Sequence, residues 1–255
     1  MITPPWDGDE DVFEIGGALP SAEELRVVAH RRRPIAVHAL PRGTVDLEFL
    51  RPIAGLITDL RIYSATAERV DVIADMPALQ HLLIDDELPV PPINVRRLVV
   101  LRTYEGPLSA VPNVLRLPDL MELGVVTRPA ERLQIDSLAL RELRVAHTPR
   151  AESFAGVGVN RGLTTLGLND IRHLEAPDLP DLPHLQRLHL ARIGTLHDVI
   201  ALQRFSTLEL LTLTDVREVD VHALGELDCR VELLRTLPRA VRAELKPPPN
   251  VTVLE

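Results

Sequence analysis

Leu163-Thr-Thr-Leu166-Gly-Leu168-Asn-Asp-Ile171, Leu185-Gln-Arg-Leu188-His-Leu190-Ala-Arg-Ile193 and Leu208-Glu-Leu-Leu211-Thr-Leu213-Thr-Asp-Val216 are three writings of one pattern. The middle leucine advances by 188 − 166 = 22 residues and then by 211 − 188 = 23. Self-similarity at such a period marks a repeat array, whose units cannot bury their apolar faces alone and stack on one another. Within each copy the L-x-L triplet has the period of an extended strand, with both leucines on one side.

The pattern extends outward in both directions. Upstream stand Ile57-x-x-Leu60-x-Ile62, Leu79-x-x-Leu82-x-Ile84, Val95-x-x-Leu98-x-Val100, Leu120-x-x-Leu123-x-Val125 and Leu140-x-x-Leu143-x-Val145. Downstream, Val231-x-Leu233 and Val251-x-Val253 are degenerate copies. With Ile35-x-Val37-x-Ala39 as a first strand, this predicts about ten strands. The step 98 − 82 = 16 is short and crosses Leu88-Pro-Val-Pro-Pro-Ile93, so this repeat is expected to have an extended back.

The connectors have a grammar too. Leu47, Leu50, Ile53 and Leu56 are three apart, which suits a helical or 3₁₀ segment with one buried stripe. Asp71-Val-Ile-Ala and Asp198-Val-Ile-Ala look like helix starts with Asp as the cap. Ile171 and Leu174, Ile193 and Leu196, and Val216 and Val219 continue the buried stripe past each late strand. Residues 238–245 read as a last helix, stopped by Pro247-Pro-Pro249.

Three regions follow. Residues 1–20 form an acidic, Pro- and Gly-rich arm, extended or partly disordered, in which Trp6 is expected to dock on the cap or on a partner. Residues 21–46 form an N-terminal cap, where Ser21 with Glu24 makes a capping box for a short helix over Leu25, Val28 and Ala29, a strand being the competing reading. Residues 47–255 are the repeats, the last ones serving as a C-terminal cap.

On these motifs the chain resembles the leucine-rich-repeat proteins, matching L-x-x-L-x-L over residues 47–233. The resemblance implies an α/β solenoid: a curved array with a parallel β-sheet on the concave face and short helices, 3₁₀ turns or extended segments on the convex face. It departs from the family at the ninth position. There an Asn or Cys usually bonds the turn backbone, whereas this chain has Ile171, Ile193 and Val216, so apolar packing is expected to replace a polar ladder.

Composition narrows the function. With 45% hydrophobic but only 3% aromatic residues, the core must be thin layers of aliphatic side chains. A net charge of −9 argues against a nucleic-acid binder and favours a basic protein partner. Abundant Arg, Ala and Pro with Lys246 as the lone lysine points to a GC-rich bacterial genome. Cys229 is alone, so no disulfide framework or cysteine metal cluster is expected. The start lacks a basic and then apolar signal segment, and no apolar run is long enough to span a bilayer, so a cytoplasmic protein without membrane contact is expected.

In the strands, residues between the leucines face away from the core. The expected partner-binding set on this concave face is Arg61, Tyr63, Asp85, Asp86, Val99, Leu101, Arg102, Val126, Arg144, His147, Asn169, Asp170, His189 and Arg192. Its middle, residues 99–146, is small and apolar, and charged residues with Tyr63 form a rim around it. Such a mixture is also what a solvated sheet carries. His147, Asp170, Arg192 and Asp215 fall in line on adjacent strands, which could hold a metal or an acid–base pair; alternating charges read more simply as a surface ladder. No catalytic residue, metal site or cofactor is assigned. The expected function is a non-enzymatic protein-binding module, with an inhibitor or immunity protein against a basic toxin or nuclease, and an assembly scaffold acting through sheet edges, as alternatives.

Overall fold

Each L-x-L triplet pins two aliphatic side chains under a strand, and the next copy, some twenty residues on, lays an identical strand beside it. In the computed structural model the described residues are 12–16, 19–38, 44–63, 67–85, 100–107, 120–126, 139–146, 161–235 and 247–254. The chain divides into two units, Met1–Leu120 and Met121–Glu255.

In the first unit β1 (Phe13–Ile15), α1 (Ala22–His30), β2 (Ile35–His38) and β3 (Val45–Asp46) lead into a 3₁₀ segment, Leu47–Leu56. Then follow β4 (Asp59–Tyr63), β5 (Ala67–Glu68), a 3₁₀ segment at Val70–Asp75, β6 (His81–Asp85) and β7 (Val100–Pro107). The strand order is β1-β2-β4-β6-β7, and the pairs are parallel. Ile35, Val37, Leu60, Ile62, Leu82 and Ile84 line the core side and are buried against Leu47, Leu50, Ile53, Val72 and Ile73.

Ser21 and Glu24 form the capping box reciprocally, so residues 22–30 are a helix and not a strand. The N-terminal arm contributes β1, whose Ile15 is buried beside Val37. Two other expectations are corrected. Leu56 is 38% exposed: the 3₁₀ segment ends there, and the extended Ile57 that follows takes the inward position, with Ala54 buried before it. Leu82 stands in register with Leu101, not Leu98, and Leu83 with Arg102. The expected register would leave 96 − 85 = 11 residues for the crossover, whereas the observed one leaves 99 − 85 = 14. A parallel crossover needs on the order of a dozen.

The second unit contains β8 (Glu122–Val126), β9 (Glu142–Ala146), β10 (Thr165–Asn169), β11 (His173–Glu175), β12 (Arg187–Ala191), β13 (Thr195–His197), β14 (Leu210–Thr214), β15 (Glu218–Val219), α2 (Val221–Leu224), β16 (Arg230–Leu234) and β17 (Val251–Leu254). Its main sheet runs β8-β9-β10-β12-β14-β16-β17, parallel wherever a register is given. The stripe residues Leu174, Leu196 and Val219 build a second sheet, β11-β13-β15. Short 3₁₀ segments, Ala176–Asp178 and Val199–Arg204, with α2, complete the turn side.

The missing asparagine ladder has a backbone substitute. Ile171, Ile193 and Val216 are buried, and the residue before each sits in the left-handed region: Asp170 at φ 58°, Arg192 at 52° and Asp215 at 52°. This turn aims each amide at the next strand, donating to the carbonyls of Ala191, Thr214 and Leu234 at 3.0, 2.8 and 3.0 Å. Asp198 does not cap its 3₁₀ segment; it too is left-handed, at φ 49°, with no side-chain cap bond. Asp71 lies inside its segment, where the left-handed Arg69 takes the cap position. Asp46 and Asp220 are the aspartates that accept N-terminal amides. The helix expected over 238–245 lies outside the described residues.

Candidate functional site

The outer faces of the two sheets carry the candidate residues, and the two units present different surfaces. In the first unit the outer face is closed. Ala36, Arg61 and Leu83 stand in one register row and are 2%, 6% and 6% exposed. Arg61 is held by Asp59 at 3.3 and 3.4 Å, and the same carboxylate meets His81 Nδ1 at 3.3 Å. Tyr63, half-buried, stacks on His38 with ring centroids 4.9 Å apart. Arg61 is therefore a buried ion-pair partner, whose removal would leave an uncompensated carboxylate. Asp85 stands in register with Tyr63. Leu101 stands in register with Leu82 and Arg102 with Leu83. Asp86, Val99 and His147 lie outside the described residues, as does most of the expected apolar middle. Within it, Val126 pairs in register with Ala146.

The second unit presents a face with polar relief. Row by row it reads Glu122, Glu142, Thr165, Arg187, Leu210 and Arg230; then Gly124, Arg144, Gly167, His189, Thr212 and Glu232; then Val126, Ala146, Asn169, Ala191, Thr214 and Leu234. The left-handed residues Asp170, Arg192, Asp215 and Arg235 finish the strands as a fourth row. Arg144 and Glu142 pair at 2.6 Å on β9, and Arg230 and Glu232 at 2.6 Å on β16. Arg192 forks onto Asp170 with both contacts at 2.6 Å and also donates to Asn169 Oδ1 at 3.0 Å. Arg235 reaches Asp215 at 3.4 Å. The aligned row is thus the charge ladder, read in ion pairs. Among the described residues no three His, Cys, Asp or Glu side chains converge on a metal-sized site.

His189 is half-buried at the centre. Burial pushes its imidazole below the ordinary value of 6.5; Arg144 and Arg187 add to this, while Glu142 and Glu232 oppose it. It therefore stands as neutral imidazole at neutral pH. Gly167 beside it leaves a gap that the aliphatic stem of Arg144 leans across; a Cβ there would lie 3.2 Å from Arg144 Cγ.

Sequence reasoning missed Asp59, Glu142, Arg187, Arg230 and Glu232. It walked the outward positions from the first residue after the middle leucine. The same period of two reaches one step further back, to the residue preceding that leucine, and would have found Asp59, Glu142 and Arg187, and Arg230 too had it been applied to the degenerate copy. Glu232 lay in the degenerate copy Val231-x-Leu233, which the walk omitted.

Charge separates the two sides of this unit. On the outer face Arg144, Arg187, Arg192, Arg230 and Arg235 balance Glu122, Glu142, Asp170, Asp215 and Glu232. On the turn side, the described segments 172–184, 195–207 and 217–229 carry Glu175, Asp178, Asp181, Asp198, Glu218, Asp220, Glu226 and Asp228 against Arg172, Arg204 and Arg217. Arg204 donates to the carbonyls of Ala176 and Leu179 at 2.9 and 2.5 Å and lies over the Phe205 ring. Burial raises the Cys229 thiol, the opposite of what a nucleophile needs.

Register, aliphatic layers and left-handed turns together define a leucine-rich-repeat solenoid of parallel strands and short 3₁₀ turns. Comparison with solved structures agrees. The chain is similar to an internalin (inlF) from Listeria monocytogenes, with a TM-score of 0.58 and 17% identity over 80% of this chain and 61% of that one. It thus spans less than two thirds of that structure's length. A second match is to an internalin C2 (inlC2) from the same organism, with a TM-score of 0.45 and 14% identity over 84% of each chain. No protein-family model and no curated protein sequence matches.

Proposed function

We propose that the chain is a non-enzymatic protein-binding module whose second unit engages a partner protein through the outer face of its sheet, the side the resemblance makes concave. The observation that carries this reading is the ordered polar relief of that face. Arg144, Asn169, Asp170, His189 and Arg192 stand on adjacent strands in fixed register, with Arg144 and Arg192 held by ion pairs at 2.6 Å. Side chains already fixed lose little freedom on binding, which is where affinity is gained. In the first unit, taken by itself, Tyr63, Asp85 and Arg102 are proposed as partner-binding residues, and Arg61 is proposed to support them from its buried ion pair with Asp59.

The test is capture on the immobilised chain, with the Arg144→Asp/Arg192→Asp variant beside the wild type. A partner bound through this face is expected to lose at least about tenfold in affinity. The turn-side variant Arg172→Asp/Arg217→Asp is expected to keep it. Equal retention by all three sinks the reading.

A second reading, an inhibitor or immunity protein against a basic toxin or nuclease met in the cytoplasm, is favoured by the net charge of −9 and its concentration on the turn side. Under it the Arg172→Asp/Arg217→Asp variant binds more tightly, not less.

A further inference from the structure

Arg187 stands at the centre of the second unit's outer face, exposed, two residues before His189 on β12. It differs from the cations around it. Arg144 is closed onto Glu142 and Arg230 onto Glu232, each at 2.6 Å, whereas the Arg187 side chain has no hydrogen-bond or ion-pair partner among the described residues.

The strands on either side of it add no charge. On one side β10 offers Thr165 and Gly167, on the other β14 offers Leu210 and Thr212. None of these carries charge, and Gly167 has no side chain at all. Beyond them the two closed ion pairs stand on β9 and β16 in opposite order, Glu before Arg on one and Arg before Glu on the other. Arg187 is thus an exposed guanidinium, unpaired among the described residues, between neutral neighbours, with the aliphatic stem of Arg144 over Gly167 and a closed ion pair two strands away on each flank.

We propose that Arg187 is the anchor for an acidic side chain, Asp or Glu, of the partner protein, received by its guanidinium with His189 beside it. The proposal rests on the outer-face reading above and adds the chemistry of its central contact. Charge complementarity selects the occupant. A cation brought here would meet Arg187 with both nearby carboxylates already engaged, whereas a carboxylate finds a planar fork of free donors that matches its two oxygens. His189 beside it is held toward the neutral form first by burial, with Arg144 and Arg187 adding to this and Glu142 and Glu232 opposing it. An acidic anchor is compatible with a partner that is basic elsewhere: the charge of the whole chain steers encounter, and the local pair fixes register.

The test uses a displayed library of random twelve-residue peptides selected on the immobilised full chain. Selected sequences are expected to share an Asp or Glu, and changing it to Asn or Gln should weaken binding by about tenfold or more, the worth of a charge-assisted hydrogen bond. Arg187→Gln should cost the same factor, and the two changes together should cost little more than either alone. Arg187→Gln does not touch the core, and the wild-type circular dichroism and melting curve of the variant establish its fold. Peptides that bind Arg187→Gln as well as wild type, a shared basic residue in place of an acidic one, or no binder above the Arg187→Gln background would each overturn the anchor. If the peptides lose affinity on Arg144→Asp/Arg192→Asp but not on Arg187→Gln, the face binds without this anchor. If neither variant matters, the outer-face reading itself fails.

Discussion

His189 and Gly194 show how much a single position in a repeat is worth. The imidazole of His189 is held below 6.5 by burial first and then by Arg144 and Arg187. Its titration by NMR is expected to move up in Arg144→Gln and Arg187→Gln and further down in Glu232→Gln. Because the folded state disfavours the charged form, His189 contributes nothing adverse above the unfolded value. As pH falls below 6.5 it costs stability, and the cost is complete once pH has passed its lower folded value. His189→Gln is therefore expected to flatten the stability curve in that acidic window alone; an unchanged slope there would show that the ring is not desolvated. Gly194 is required for a different reason. A Cβ there would press into the carbonyl oxygen and carbon of Arg172 in the preceding turn, backbone atoms that cannot swing aside. Gly194→Ala is expected to destabilise the chain by about 1–3 kcal/mol in urea denaturation, with the same change at solvent-facing Gly55 close to neutral.

At the scale of elements, one amino acid does two jobs that sequence alone conflates. Asp198 and Asp220 both precede helical turns of the second unit, and the sequence reads Asp198 as the cap. Asp220 accepts from His222 and Ala223 amides at 2.9 and 3.1 Å, whereas Asp198 lies at φ 49° and caps nothing. Asp220→Ala is expected to lose about 1 kcal/mol. Asp198→Gly, at a backbone angle that glycine adopts freely, is expected to stay within about 0.5 kcal/mol of wild type. Equal losses at the two sites would mean that Asp198 caps after all. The strands were far more legible than the turns. Leu166, Leu188 and Leu211 fall in register as written, because a buried period of two admits no slip without exposing a leucine. The register of β7 was not legible, since Leu98 and Leu101 both suit an inward place and crossover length decided between them. Face residues were legible in kind but not in state. Nothing in the letters of Arg61 and Arg187 tells that one is buried on a carboxylate and the other is exposed with no partner among the described residues, since that depends on which strands lie beside each.

For the whole molecule, the distribution of charge matters more than its sum. The chain carries −9, yet among the described residues the outer face of the second unit balances five cations against five anions, and the turn side holds eight acidic residues against three arginines. Long-range attraction and short-range fit are therefore separated on the two sides of one layer. A basic partner is drawn by the total field, which salt screens over about 8–10 Å, while the ion pairs of the face act at contact and are screened much less. With the captured partner, raising salt from low to well above physiological strength is expected to slow association by about tenfold and leave dissociation nearly unchanged. Arg144→Asp/Arg192→Asp should do the reverse, speeding dissociation with little effect on the salt slope. Neutralising Asp178, Asp181 and Asp198 together should flatten the slope and spare dissociation. An association rate indifferent to salt would sink the basic-partner reading while leaving the contact face untouched. A dissociation rate indifferent to Arg144 and Arg192 would sink the contact face and leave the steering intact.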